Sequence, residues 1–302
     1  MVESEFSPAK ELRNAVALFF LTLVTVYFTY GWLWSSGSPI EDGQTIRDSA
    51  VFSVALMSIL AAHELAHYWV ARRHGFALSL PYFIPFPMAF GTLGAVIRLR
   101  SLPKSRTALL EMGAAGPIAG ALLAFAFIGV GLHGTVPVEA PPVVEEGVDV
   151  LIFGNPAIMD HLGVWVLGEA PGRYDVLTPL ALAGWVGCFL TALNLLPVGQ
   201  LDGGHIVTSL SPRWAPLLSK VAIALLFIAG VWFWEGWAVW AVLLLLMGAW
   251  ENLEVPVEPV LSKRAKWIAL CTVLFMGLCF MARPLESETV AYMPGEPIES
   301  SP

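Results

Sequence analysis

The chain has 302 residues, 57% of them hydrophobic and 13% charged, with a net charge of −8. That composition, with a mean hydropathy of +0.70, excludes a soluble domain, and several windows exceed the ~18 apolar residues that indicate a membrane span. Strands alternating in the outer-membrane manner are absent, the acidic balance argues against nucleic acid as a partner, and Cys188, Cys271 and Cys279 lack ligand or disulfide spacing.

The chain therefore reads as an all-α polytopic membrane protein, a single integral membrane domain over 1–302 with about seven transmembrane helices. The candidate spans lie near Asn14–Trp34, Ser49–His74, Thr107–His133, Thr178–Leu196, Trp214–Phe233, Gly236–Leu253 and Lys266–Ala282. Lys10 and Arg13 precede an apolar run too long for a cleaved signal, so the first span is expected to be retained. With the N-terminus cytoplasmic, only Arg47, Arg173 and Arg283 of the 16 Lys and Arg fall outside. That is the bias expected of cytoplasmic loops, and it sends the acidic tail from Glu286 outside.

In the second span, His63-Glu64-Leu65-Ala66-His67 sets two imidazoles one helical turn apart on one face. That spacing lets both hold one metal ion, with the intervening carboxylate close enough to act on water at the ion. The bland alternative is a polar patch between two helices, but ionisable groups inside a membrane are costly and call for a reason. After this span, Phe76–Ser101 holds Pro81, Pro85 and Pro87, which forbid a regular helix. Gly94–Arg100 alternates partially, as a strand does. Residues 76–101 are expected to form a re-entrant loop and a small membrane-associated β-ribbon, tolerable at that depth only under cover of protein or water.

The third span carries Gly113, Gly116 and Gly120, spaced for close packing against the second. Residues 134–177 read as an extracytoplasmic loop, opening with the Pro- and Glu-rich Val136–Glu146 and continuing as an amphipathic segment over Val148–Leu167. The fourth span ends at Asn194-Leu195-Leu196-Pro197, and Gly199, Gly203 and Gly204 then permit a tight turn around Asp202. Alone, Asp202-Gly203-Gly204 is a turn at a helix end. The topology, however, sets Asp202 at the same depth as His63 and His67, and a His-His-Asp set leaves one tetrahedral position for water, as catalytic zinc (Zn2+) requires.

These two motifs, together with Gly113-Ala114-Ala115-Gly116-Pro117 and the ribbon at 81–101, resemble the site-2 protease family of intramembrane zinc metalloproteases. The likeness covers about 50–211, which it implies is a catalytic core of three central spans, followed by C-terminal spans and tail over 212–302. It implies that His63, His67 and Asp202 bind zinc and that Glu64 is the catalytic carboxylate. It also implies cleavage of single-span membrane-protein substrates in the lipid bilayer. Asn194 would position substrate near the centre, or join two helices. His205 would support Asp202, or face solvent. Residues 81–87 would gate the site, or plug it. The 134–177 loop is too short for the periplasmic PDZ domain of many bacterial members. The expected location is a bacterial plasma membrane, multi-pass, with the site in the cytoplasmic half. The rival functions are a catalytically silent scaffold and a metal transporter.

Overall fold

A computed structural model describes residues 8–35, 37–138, 148–256 and 261–290. Most of the Pro- and Glu-rich stretch and the acidic tail after Val290 lie outside them. Among the described residues the protein is mostly helical: α1 (Pro8–Thr29, continued by a π-turn to Trp34), α2 (Gly43–Arg73), α3 (Arg106–Leu132), α4 (Ala157–Val166), α5 (Pro179–Asn194), α6 (Asp202–Leu210), α7 (Ala215–Trp232), α8 (Gly236–Leu246) and α9 (Lys263–Cys279). Helix starts are written into the sequence as caps. Asp42, Ser105, Thr178 and Ser262 each accept the amide three residues on, at Thr45, Ala108, Ala181 and Ala265. The Thr45 hydroxyl and amide hold the Asp42 carboxyl below its ordinary range.

Each of the seven expected spans holds a helix, but among the described residues four helices are long and apolar enough to cross a membrane: α1 with its π-turn, α2, α3 and α7. The expected boundaries at Leu196 and Leu253 overran helices that end at Asn194 and Leu246. The 16 residues of α5 make a rod of roughly 24 Å. It can be short because protein rather than lipid surrounds it, with Ala181–Phe189 buried without interruption.

α3 sits at the centre, packed against α2, α5, α6 and α9. Its core with α2 and α5 includes Phe52, Leu56, Ile128, Trp185 and Val186. Between α2 and α3 the chain forms an antiparallel hairpin of β1 (Tyr82–Pro85) and β2 (Thr92–Val96). The strand thus begins before the expected Gly94. Its ladder continues past β2 through Ser79 N–H to Arg98 O at 3.0 Å and Arg100 N–H to Ala77 O at 2.8 Å. Glu11 on α1 anchors the base by accepting Leu80 N–H at 2.8 Å and the Arg100 guanidinium at 3.0 Å. At the tip, Thr25 and Trp34 donate to the carbonyls of Gly91 and Ala89. Phe90 stacks on Trp34 and meets Trp185 and Phe189.

The segment Val148–Leu167, expected to be one amphipathic stretch, is instead β3 (Val148–Phe153) followed by α4. β3 pairs antiparallel with β4 (Leu285–Val290), Phe153 opposite Leu285. A second small sheet therefore stands beside the expected ribbon. A short apolar run does not by itself distinguish strand from helix, and pairing with a distant partner decides it.

Candidate metal centre and catalytic site

His63, Glu64 and His67 all lie on α2 and are all buried. Asp202 reaches them from the first position of α6. It opens a helix rather than sitting in a turn, because the chain folds back after α5 with no room to spare. A side chain at Gly203 or Gly204 would collide with the carbonyls of Leu195 and Val198. This reversal, forced by Pro197 and permitted by the two glycines, brings Asp202 back under α2.

The three donor atoms form a nearly equilateral triangle. His63 Nε2 and His67 Nε2 are 3.0 Å apart, and each is 3.2 Å from Asp202 Oδ2. His67 Nδ1 lies 2.7 Å from the carbonyl of Met112 on α3. A carbonyl only accepts, so a proton sits on His67 Nδ1, and in the neutral ring Nε2 offers a lone pair. His67 Nε2 faces a second imidazole nitrogen and a carboxylate oxygen. Two imidazole nitrogens and a carboxylate oxygen that converge in a buried site form a donor set that could hold a cation. For zinc–donor bonds of about 2.0–2.1 Å, tetrahedral geometry gives edges of roughly 3.3–3.4 Å. The triangle matches, and the donor set fits zinc. Among the described residues this is the one cluster of three or more His, Cys, Asp or Glu suited to hold a metal.

α3 supplies the wall behind the ligands. A side chain at Gly116 would overlap the His67 ring, and one at Gly120 would come 3.2 Å from His63 Nδ1. A side chain at Gly113 would come 3.0 Å from His205 Cβ. The glycine row therefore serves close packing, Gly116 and Gly120 against His67 and His63 of α2 as expected, while Gly113 faces His205 of α6 instead. His205 is buried in α6, and burial pushes its imidazole down to about 4. It faces protein rather than solvent, and its Nδ1 has no hydrogen-bond partner among the described residues.

Glu64 lies outside the triangle. With His63 and Asn194 it lines a cavity of about 60 Å³, enough for a few water molecules. Asn194 Nδ2 is 3.4 Å from His63 Nε2, so the side chain touches both a corner of the triangle and the cavity. Leu93, Gly94 and Ala95 of β2 also line it. The arrangement brings together a metal-ligand set, a carboxylate, an amide and an extended strand around one water-sized space. Sequence reasoning brings together all five residues His63, Glu64, His67, Asn194 and Asp202. It misses the Met112 carbonyl, which has no side-chain signature. It also misses Trp240 of α8 on the cavity wall, whose signal is a tryptophan in mid-helix rather than at a membrane interface. His74, assigned no role from sequence, lies 2.9 Å from Glu111 Oε2, and Arg264 lies 3.5 Å from Oε1. These contacts tie the ends of α2, α3 and α9.

A family model described as Peptidase family M50 matches residues 51–234. The chain is 32% identical over 271 residues to a protein of Arabidopsis thaliana named probable zinc metalloprotease EGY2, chloroplastic, covering 87% of this chain and 46% of that protein. The protein of the same name from Oryza sativa subsp. indica is 31% identical over 199 residues, covering 64% of this chain and 35% of its own length. The probable zinc metalloprotease EGY1, chloroplastic, of Arabidopsis thaliana is 36% identical over 155 residues, covering 50% and 28%. The chain spans less than half the length of each of these relatives. No solved structure matches it.

Proposed function

The chain belongs to peptidase family M50, the site-2 proteases, and from that premise we propose that it is a zinc-dependent intramembrane endopeptidase. It would hydrolyse peptide bonds within or near the transmembrane segments of single-span partner proteins, as a step of regulated intramembrane proteolysis. The observation that carries this reading is the triangle of His63, His67 and Asp202 donors, 3.0–3.2 Å on its sides, beside a buried carboxylate on a water-sized cavity.

His63, His67 and Asp202 would hold the ion, and the Met112 carbonyl fixes the ring of His67. Zinc held there supplies Lewis-acid activation of water and of the scissile carbonyl. Glu64 takes a proton from water entering the cavity and passes it to the leaving amine nitrogen, the carboxylate ending as it began. Asn194 donates its amide hydrogens to substrate backbone beside His63. Substrate must arrive unwound, because a helical peptide bond is shielded and already hydrogen-bonded. β2 pairs only with β1 among the described residues, and its other edge would capture an extended segment by strand addition.

In the bilayer, α1, α2, α3, α5, α7, α8 and α9 would make seven spans around this site. The charge bias supports a site in the cytoplasmic half of the membrane. The test uses purified protein in liposomes with a labelled single-span peptide. Wild-type protein should cut it and the Glu64→Gln variant should not. Equal cleavage by both would reject Glu64 as the proton carrier.

A further inference from the structure

The segment that follows α8, residues 248–252, lies against the loop that delivers Asp202. Gly248 closes α8 in the left-handed region, φ +64°, which glycine adopts without strain. Its N–H donates to Leu245 O at 3.1 Å, and the Ala249 N–H donates to Leu244 O at 2.9 Å. The chain then meets the 197–201 loop. Gln200 N–H donates to Ala249 O at 2.9 Å, and the Gln200 side-chain amide donates to Gly248 O at 3.4 Å. A side chain at Gly199 would collide with the carbonyls of Ala249 and Glu251, so the two backbones are in direct contact.

Asn252 ends this segment and joins three elements. Gly199 N–H donates to Ser219 Oγ of α7 at 3.0 Å, the Ser219 hydroxyl to Asn252 Oδ1 at 3.2 Å, and Asn252 Nδ2 to Thr208 Oγ1 of α6 at 2.8 Å. Ser219 and Thr208 are buried, so water is a poor substitute for these bonds. The chain of bonds runs from three residues before Asp202 to six residues after it. Asp202 itself opens α6 without a side-chain cap on that helix. α3 holds α6 through Gly113, packed on His205 and the Asp202 backbone, and through Arg106, which donates to the carbonyls of Ser209 and Leu210. The segment after α8 holds it through Asn252. That segment carries none of the motif residues and lies beyond residue 234, where the family match ends.

We propose that Asn252 is a positioning residue for the metal centre. Its amide locks the 197–201 loop to α6 and so fixes Asp202 Oδ2 at 3.2 Å from both His63 Nε2 and His67 Nε2. This rests on the protease reading above, which makes that carboxylate a zinc ligand. A loop held in this way sets the third corner of the triangle before metal arrives, so binding need not order it. Without Asn252, part of the binding free energy goes into ordering the loop, and affinity falls by that amount.

The test uses the full chain purified in detergent, as wild type and as the variants Asn252→Leu, Asn252→Asp and Ser219→Ala. Leucine keeps the volume of asparagine and removes both bonds. Aspartate keeps an acceptor for Ser219, and the Thr208 hydroxyl can donate to it as readily as it accepts, so it is the conservative rescue. Ser219→Ala breaks the same chain one link away and replaces Asn252→Leu should that protein not fold. Zinc affinity is read by competition with a chelator well below the unfolding temperature. It should fall about 5- to 30-fold in Asn252→Leu and in Ser219→Ala, the worth of one or two hydrogen bonds, and return to within about 3-fold of wild type in Asn252→Asp. Hydrogen exchange of the Gly199 and Gln200 amides should quicken by a similar factor in metal-free Asn252→Leu, although their own acceptors remain. Cleavage lost at limiting zinc should recover with zinc in excess. A role in packing alone predicts a lower unfolding temperature with the zinc affinity of the folded protein unchanged. That result, or unchanged exchange at Gly199 and Gln200, overturns the proposal. Weakened zinc binding in Asn252→Leu, with no cleavage by wild-type protein, leaves the positioning role standing and rejects the protease reading. Wild-type protein that binds no zinc rejects both.

Discussion

Replacing Gly116 by alanine adds one carbon atom where α3 passes closest to the metal site. The nearest atoms to that carbon are Nε2, Cδ2 and Cε1 of the His67 ring, all inside contact distance. Non-bonded carbon and nitrogen atoms rest roughly 3.5 Å apart, so the ring or the helix must yield by more than about 1 Å. The ring has little freedom, because its other nitrogen is held 2.7 Å from the Met112 carbonyl of the same helix α3. A ligand nitrogen displaced by that much leaves the triangle. A 1 Å misplacement in a reactive site costs on the order of 100-fold. Gly116→Ala should therefore lower zinc affinity and peptide cleavage by about 100-fold or more. Gly277→Ala is the control. It lies in α9 with nothing within 4 Å of the added carbon, and its higher helix propensity should leave stability equal or raise it by up to ~1 kcal/mol. Zinc titration followed by a competing chelator, with cleavage measured in parallel, reads both. A Gly116→Ala protein with zinc affinity and cleavage within about 3-fold of wild type would refute the reasoning.

Three further outcomes follow from the same geometry. Glu64→Gln should keep its metal, since Glu64 stands outside the donor triangle, while cleavage falls about 10²- to 10⁴-fold; metal analysis with the peptide assay checks it. Asp202→Ala should lose the metal, because it removes one corner of the triangle and leaves two imidazole nitrogens facing each other; zinc content near wild type would contradict this. Glu11→Ala leaves the Leu80 amide and the Arg100 guanidinium without the carboxylate that joins them to α1. The hairpin base should then loosen by about 1–3 kcal/mol, seen as faster hydrogen exchange over 78–100 with zinc content unchanged.

Much of the site is legible in the amino-acid sequence. His63 and His67 share a face because helices repeat every 3.6 residues. The break at Pro197 marks where α5 must end, and the glycines after it mark where Asp202 can turn back. What the residues alone leave open is who touches whom across the bundle. The spacing of Gly113, Gly116 and Gly120 implies a close neighbour, yet only the packed helices show that the neighbours are His205, His67 and His63. Met112 acts through a backbone atom that every residue has. The strand Val148–Phe153 depends on a partner more than 130 residues away. α5 falls short of membrane length because its surroundings are protein, which hydropathy does not register.

The central claim is that two imidazoles and one carboxylate hold a zinc ion next to Glu64, and X-ray absorption at the zinc edge tests it most directly. Purified protein loaded with one equivalent of zinc should show a four-coordinate shell of nitrogen and oxygen at about 2.0–2.1 Å with two imidazole signatures and no sulfur. The Glu64→Gln variant should give the same spectrum, and His63→Ala or Asp202→Ala should abolish it. A sulfur shell near 2.3 Å, or an unchanged spectrum after loss of His63 or Asp202, would contradict the account.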